Sequence, residues 1–409
     1  MRILMVSDVY FPRINGVSTA IMILRRELAR AGHEVTLVAP DYGACHVPGD
    51  GPGPLYRVRS RSVWRDPEDR RMSWRALMDL APELARRGFD LVHVHTPFLA
   101  HYAGLAYARR LGVPVVETYH TLFEEYLFHY VPLAPHGLMR GLTRALARLQ
   151  CAQVDGLVVP SHPMLQRLVE YGVTTRAAVI PTGLDLEDFA GGDGARFRAW
   201  LDIPPTRPVL LYVGRVAHEK NIGFLLEVMA RLTQRLPEAL LVIAGEGPAQ
   251  EHLRRQAETL GVAAQVRFVG YLDRQTALLD CYRAADVFVF ASRTETQGLV
   301  LLEAMALGVP VVGLAVMGTA EVLRDGEGAL IAQDDVTDFA DKVERLLKDH
   351  AARHELAVRA RAYAQTWSAP EMTARLISFY AETLEARAAG GLSRTGSAAA
   401  AAARAESRS

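Results

Sequence analysis

The sequence predicts an α/β protein of two doubly wound domains, each a parallel sheet covered by helices on both faces. Three observations carry this expectation. Short, almost wholly apolar runs have the length and β-branched character of strands buried on both sides, as in ILMVS (3–7), LVHVH (91–95), VLLYVGR (209–215) and VFVFAS (287–292). Stretches with apolar residues at helical spacing separate them, as in TAIMILRRELARAGH, which ends at Gly32 and His33. The alternation occurs twice over 409 residues, too many for one ordinary core.

Taken in order, the first half offers strands at 3–7, EVTLVAP (34–40), 91–95, VPVVETYH (113–120), GLVVPS (156–161) and AAVIPTG (177–183). The second half offers 209–215, LLVIAGEG (240–247), VRFVGYL (266–272), 287–292 and VPVVG (309–313). The division falls near PTGLDLEDF (181–189), giving domains 1–185 and 186–365. TWSAPEMTARLISFYAETLEARA (366–388) reads as a terminal helix crossing back to the first domain. The remainder, 389–409, is small, polar and repetitive, and is expected to be a disordered tail. In doubly wound folds ligands sit beyond the carboxyl ends of the strands. Two such domains facing each other would enclose a deep cleft.

Composition narrows the function classes. Lys and Arg total 46 against 46 Asp and Glu, a balance without the basic bias of a nucleic-acid binder. Cys45, Cys151 and Cys281 have neither metal-site nor disulfide spacing, which fits a reducing compartment. No apolar run approaches the ~20 residues that span a bilayer. The opening MRILMVSDVYFP lacks the apolar core of a signal peptide. A cytosolic protein is expected, with attachment to a membrane surface left open.

The chemistry-bearing residues are densest in the second half. GRVAHEKN (214–221) follows a strand and carries Arg215 and Lys220, a fork and a flexible ammonium suited to a diphosphate. The plainer alternative is a pair of solvated loop charges. GEGP (245–248) ends another strand, and Gly245 and Gly247 allow close backbone approach. It is not a dinucleotide fingerprint, because Gln250 stands where the third glycine belongs. GYL (270–272), with Tyr271, ends the next strand and could face a flat ring.

SRTETQGLVLLEAMALGVPVVG (292–313) has Glu295 in a loop and Glu303 one turn inside the helix that resumes near Gly298. That junction, Thr296, Gly298 and Leu299, offers unpaired amides and a helix dipole to a phosphate. Carboxylates beside an anion site need hydrogen-bond donors, and sugar hydroxyls supply them. Amides and cations for a diphosphate with carboxylates for hydroxyls suit a nucleotide-sugar.

The ordered set Arg215, Lys220 and Glu295-x7-Glu303, with Gly16 in a loop after the first strand, resembles the family 4 retaining glycosyltransferases of GT-B fold over roughly residues 1–388. The resemblance implies that Arg215 and Lys220 hold the donor diphosphate, Glu295 contacts the sugar and Glu303 the ribose. It implies that the amides of Asn15-Gly16-Val17 approach phosphate and acceptor. In TYHT (118–121), His120 would contact the donor sugar and the reaction centre, and Asp8 could line the same cleft. His93 and His95 alternate as a metal pair would, but no third ligand follows, and the family is generally metal-independent. No metal or cofactor is expected.

Acceptor recognition is expected in the first domain. YRVRSRSVWRDPEDRRMSWR (56–75) is arginine-rich and interrupted by tryptophans. HGLMRGLTRALARLQ (136–150) sets Arg140, Arg144 and Arg148 on one helical stripe beside Leu138, Leu142, Leu146 and Leu149. Such a helix suits an anionic membrane surface, or equally a core helix with a solvated edge. HTPF (95–98), TYHTLFEEYLFHY (118–130) and SRTETQGLVLLEAM (292–305) resemble the diacylglycerol glycosyltransferase branch, which includes glucosyldiacylglycerol synthases and plant sulfoquinovosyldiacylglycerol synthase. The resemblance implies transfer of a hexose from UDP-glucose to a lipid at the inner face of the cell membrane, with Tyr126 and Tyr130 near the acceptor. The alternatives are another donor such as GDP-mannose with a soluble or polysaccharide acceptor, a UDP-sugar 2-epimerase, and a non-catalytic nucleotide-sugar binder.

Overall fold

A computed structural model of the chain describes residues 1–13, 15–43, 51–63, 66–120 and 136–406, with the side chains of 66–69, 136–140 and 390–406 outside the description. By its own contacts the chain divides into two compact units. The first comprises Met1–Pro160, Met164–Pro181 and the chain from Pro370 onward; the second comprises Ser161–Pro163 and Thr182–Ala369. Leu184 belongs to the second unit because its amide donates to Trp367 O at 2.7 Å and its carbonyl accepts from Ala369 N at 2.9 Å.

The first unit holds β1 (Arg2–Val6), β2 (Glu34–Pro40), β3 (Leu55–Val58), β4 (Ser60–Val63), β5 (Asp66–Met72), β6 (Leu91–Val94), β7 (Val115–Thr118), β8 (Gly156–Val159) and β9 (Ala177–Val179). Seven form one sheet in the order β3-β2-β1-β6-β7-β8-β9, all parallel, while β4 and β5 pair as an antiparallel hairpin. The second unit holds β10 (Val209–Val213), β11 (Leu240–Ala244), β12 (Val266–Gly270), β13 (Val287–Phe290), β14 (Val311–Leu314) and β15 (Ala329–Ala332). They form a parallel sheet in the order β12-β11-β10-β13-β14-β15.

Each sheet therefore starts in its middle, winds to one edge, returns and winds to the other. The strands that meet at the reversal are β1 beside β6, with Ile3 opposite Leu91, and β10 beside β13, with Leu210 opposite Val287. Loops leaving these pairs diverge to opposite faces and open a crevice at their carboxyl ends. The apolar strands are fully covered: Ile3, Leu4, Met5 and Val6 in one sheet and Leu240, Leu241, Val242 and Ile243 in the other have no exposed surface. In the second core, Tyr212 and Phe290 stack with centroids 5.8 Å apart.

Two helix boundaries differ from expectation. Gly16 is the first residue of helix Gly16–Arg30 and not part of a loop, because Asn15 Oδ1 accepts from Ser18 N at 2.9 Å and caps the helix one residue earlier. The terminal helix runs from Ala369 to Glu406, so the segment expected to be a disordered tail continues as helix, in keeping with the high helix propensity of its alanines. Leu376, Phe379 and Tyr380 of that helix are buried with Ile3, Val116 and Val158 in the first unit's core. No helix among the described residues is long and apolar enough to cross a membrane.

Candidate active site

The second unit gathers its chemistry at the β10/β13 reversal. After β10 the chain makes a single 3-10 turn, His218–Lys220, and is held down where Asn221 Nδ2 donates to Ala291 O (3.0 Å) and Thr294 Oγ1 to Glu219 O (3.3 Å). These bonds bring the turn against the loop after β13, where Lys220 Nζ donates to Glu295 Oε1 at 2.7 Å. Both side chains keep about a fifth of their surface exposed, 22% and 17%, so the pair remains reachable. Arg215 lies exposed on the same turn segment.

The Glu295 loop is tied on several sides. Glu295 O accepts from Gly318 N (2.8 Å), and a Cβ on Gly318 would lie 2.1 Å from Thr296 C and O. Thr296 O accepts from Ser161 Oγ (2.9 Å). Gln297 holds the Thr182 peptide at both ends, Nε2 donating to its carbonyl at 2.7 Å and Oε1 accepting from its amide at 2.8 Å. Gly298 then enters helix Leu299–Ala306 with φ 89°, which suits glycine, and no side chain caps the first amides. Leu301, Leu302, Ala304 and Met305 are buried and fix that helix to the sheet. The helix begins four residues after Glu295, and its first amides have no side-chain cap from Gly298, an arrangement suited to an anion.

Glu303 already has protein partners. It is 2% exposed, its Oε2 accepts from Tyr282 Oη at 2.8 Å, and its Oε1 is ion-paired with Arg274. Burial and the adjacent Glu303 charge push the Tyr282 hydroxyl well above its ordinary range, so it stays protonated and donates. Each carboxylate oxygen retains a second lone pair beyond those used. The two glutamates thus have separate cations and do not form an acid/base pair.

The GEGP glycines also have a reason internal to the fold. A Cβ on Gly245 would lie 2.0 Å from Gly214 O, and one on Gly247 2.4 Å from Val216 O. The close approach they permit is that of the chain's own turn after β10, with Val216 N donating to Glu246 O at 2.9 Å. Tyr271 is 50% exposed at the end of β12, with its amide toward Glu246 Oε1.

The first unit gathers a second set at the β1/β6 reversal, around a cavity of about 290 Å³ lined among others by Asp8, Asn15, His95, Phe98, Glu117 and His120. Asp8 follows β1 and caps helix Leu99–Leu111, its Oδ2 accepting from Ala100 N (3.0 Å) and Thr96 Oγ1 (2.9 Å). Burial pushes its carboxyl up to about 6 against those hydrogen bonds. His95 Nδ1 and His120 Nε2 are hydrogen-bonded at 3.1 Å. His93 meets Thr118 Oγ1 (2.7 Å) and Tyr380 Oη (2.6 Å), so its alternation with His95 serves hydrogen bonding. Burial lowers His93 to about 3 and His120 to about 4, and burial with the neighbouring histidines lowers His95 well below its ordinary value. All three rings are neutral at pH 7. Gly16 faces open space, where a Cβ would meet nothing within 4 Å.

The acceptor expectations divide. Tyr126 and Tyr130 lie outside the described residues, as does the Arg140 side chain. On helix His136–Cys151, Arg144 and Arg148 are exposed, and so are Leu142 (57%) and Leu149 (59%); Thr143, Ala147 and Gln150 form the buried face. Arg144 packs over Tyr171 with 5.4 Å to the ring centroid. Gln150 Nε2 donates to Pro97 O (2.8 Å) and Tyr102 Oη (3.3 Å), which brings exposed Phe98 and Tyr102 to this helix. By contrast Arg57, in the arginine-rich stretch, donates to Phe11 O (2.7 Å) and Pro40 O (3.2 Å) and is structural.

Sequence reasoning missed Arg274, Tyr282, Gln297 and Ser161, and weighed His95 only as a metal ligand. None lies in a periodic or motif pattern; their partners are 21 to 135 residues away along the chain.

Comparison with known proteins supports this picture. Residues 14–188 match the model of Glycosyltransferase Family 4, and residues 195–367 match Glycosyl transferases group 1. The chain is 34% identical over 329 residues to alpha-monoglucosyldiacylglycerol synthase of Streptococcus pneumoniae, covering 76% of this chain and 70% of that one. It is 36% identical over 306 residues to D-inositol 3-phosphate glycosyltransferase 2 of Catenulispora acidiphila, covering 68% and 70%. Among solved structures, HepE (Alr3699) of Anabaena in complex with UDP and glucose superposes with a TM-score of 0.74 at 16% identity, covering 93% of this chain and 100% of that one. Two parallel-sheet α/β units of this topology are the architecture of GT-B glycosyltransferases. The chain belongs to glycosyltransferase family 4, and it is a glycosyltransferase.

Proposed function

We propose that the protein transfers a hexose, glucose first, from a UDP-sugar to a lipid acceptor such as diacylglycerol, with retention at the anomeric carbon. The bond from C1 to the β-phosphate oxygen breaks with its electron pair going to that oxygen. The acceptor oxygen bonds to C1 on the same face, and its proton passes to the leaving phosphate. Arg215, Lys220 and the amides at Gly298 and Leu299 stabilise the charge that grows on the phosphate, more in the transition state than before it. These groups supply positive charge without a metal, and the reaction needs no cofactor. Glu295 takes a sugar hydroxyl, Glu303 the ribose hydroxyls, His120 the sugar near the reacting carbon, and Tyr271 lies beside the base. Gly16 admits phosphate and acceptor to the backbone.

The observation that carries the donor reading is the Lys220–Glu295 pair at 2.7 Å, at the strand reversal and one short loop from an uncapped helix N-terminus. The lipid reading is supported by the solvent-facing Leu142, Leu149, Arg144 and Arg148, the pattern of a helix lying on an anionic bilayer. It is supported also by the name of the Streptococcus pneumoniae relative. Peripheral attachment at the inner face of the membrane follows from it. The name of the Catenulispora relative favours a second reading, a soluble inositol phosphate acceptor.

Incubation of the purified chain with labelled UDP-glucose, diacylglycerol in anionic vesicles and inositol phosphate decides between them. The expected product is a glycolipid, with Lys220→Ala lowering kcat/KM for the donor by roughly 100-fold. Label found only in a water-soluble glycoside would replace the lipid reading, and near-normal kinetics of Lys220→Ala would end the donor assignment.

A further inference from the structure

We infer that His95 is a positioning residue that locks His120 as a neutral imidazole with its proton on Nδ1, making His120 a hydrogen-bond donor and not a base. The functional use of this donor rests on the role proposed above for His120; the tautomer itself does not.

A hydrogen bond between two neutral imidazoles carries one proton, and only two arrangements exist. In the first, His120 Nε2–H donates to His95 Nδ1, and His95 must then carry its own proton on Nε2. In the second, His95 Nδ1–H donates to His120 Nε2, and the His120 proton resides on Nδ1. The surroundings of His95 Nε2 separate them. That atom is buried and has no hydrogen-bond partner among the described residues. The neighbouring His93 ring, 4.0 Å away between centroids, has both nitrogens engaged by Thr118 and Tyr380. The first arrangement therefore buries an orphan N–H, which native structures avoid more strictly than an under-used acceptor. The second leaves a bare ring nitrogen there and costs less.

A charged pair is not an alternative. His95 is 1% exposed, and burial disfavours protonation of both rings. The two ring planes are 25° apart with centroids 5.4 Å apart, near the coplanar, edge-to-edge arrangement of an in-plane hydrogen bond, which fixes the orientation of His120 as well as its tautomer. His120 lines the cavity, and Nδ1–H is then the one ring N–H it can offer a ligand there. Its natural partner is an oxygen acceptor, a sugar hydroxyl or a phosphoryl oxygen. With Nε2 occupied and Nδ1 protonated, His120 has no free lone pair with which to take the acceptor's proton, which leaves that proton to the departing phosphate.

The tautomer is readable in the full chain labelled with ¹⁵N-histidine, by long-range ¹H–¹⁵N correlation at pH 7, with the His120 signals assigned as those lost in His120→Gln. The expected spectrum has a protonated Nδ1 and a bare Nε2 for His120. His95→Asn, whose amide N–H occupies the place of Nδ1–H, should keep that pattern, whereas His95→Leu should lose it. Turnover with UDP-glucose should fall by roughly 100-fold in His95→Leu and recover substantially in His95→Asn. A wild-type His120 protonated on Nε2 overturns the inference without any variant, and so does an unchanged His120 pattern in His95→Leu. If wild type turns over no UDP-glucose, the proposed reaction fails while the spectrum still decides the tautomer.

Discussion

The two strand-reversal sites occupy the same place in the same topology and solve opposite electrostatic problems. At the β1/β6 reversal burial works against charge: His93 and His120 are lowered to about 3 and about 4 and are neutral rings at pH 7, and Asp8 is raised to about 6. At the β10/β13 reversal and the helix behind it the charges persist and are paired, Lys220 with Glu295 and Arg274 with Glu303. Neutral rings with fixed tautomers suit hydroxyls, whose recognition depends on donor and acceptor direction. Fixed cations suit a phosphate, whose recognition depends on charge. The sheet supplies the location, and local burial decides which chemistry is placed there.

The strongest way to break this contrast is to strip a charge from the paired site. Arg274→Ala leaves Glu303 buried without its cation, at an expected cost of about 3 kcal/mol to the second unit. Urea unfolding followed by hydrogen exchange in peptides spanning 287–314 measures it, and a loss below about 0.5 kcal/mol would show that Glu303 needs no cation.

Acid tests the neutral site. Because His93 and His120 are lowered from 6.5, the stability they contribute is complete above pH 6.5 and is lost as pH falls through about 4 and about 3. For His120 alone the full loss is on the order of 3 kcal/mol. Asp8 acts in the other direction: its contribution is complete below its ordinary 3.8 and is lost as pH rises through about 6. The net expectation is a loss of protection in peptides spanning 91–118 between pH 6.5 and 4, smaller in His120→Gln and larger in Asp8→Asn. An equal loss in both variants would refute the burial account.

The smallest effect is expected at Gly16. With open space around its Cβ position, Gly16→Ala should change stability by less than about 0.5 kcal/mol, whereas Gly245→Ala meets a carbonyl at 2.0 Å and should be markedly destabilised. Thermal unfolding of the two variants makes the comparison. A large loss at Gly16 would mean that the fold, and not a ligand, requires glycine there.

Much of the architecture was legible because buried parallel strands are written as apolar runs; each strand pair flanking a reversal is such a run. The strands that escaped notice are edge or hairpin strands: LYRV at β3, SRSV at β4, DPEDRRM at β5 and ALIA at β15, which carry charges, proline or too few residues to stand out. At the site, Lys220 and Glu295 were legible as types in a loop. Their constraints were not: Gln297 binds a peptide 115 residues away and Arg274 a carboxylate 29 residues away, contacts that only the folded chain creates. GEGP misled in a specific way. Its glycines signalled a close backbone approach correctly, but the approaching backbone is the protein's own.

The terminal helix has a consequence for how the protein is made. The stretch Thr182–Ala369 is continuous, and its ends are hydrogen-bonded neighbours through Leu184, Trp367 and Ala369, so the second unit can close as soon as residue 369 leaves the ribosome. The first unit lacks Leu376, Phe379 and Tyr380 until later, and with Tyr380 it lacks the hydroxyl that engages His93. The unit whose synthesis begins first is the last to be completed, and a chain truncated after residue 369 and released would hold a finished second unit and a first unit with an open core.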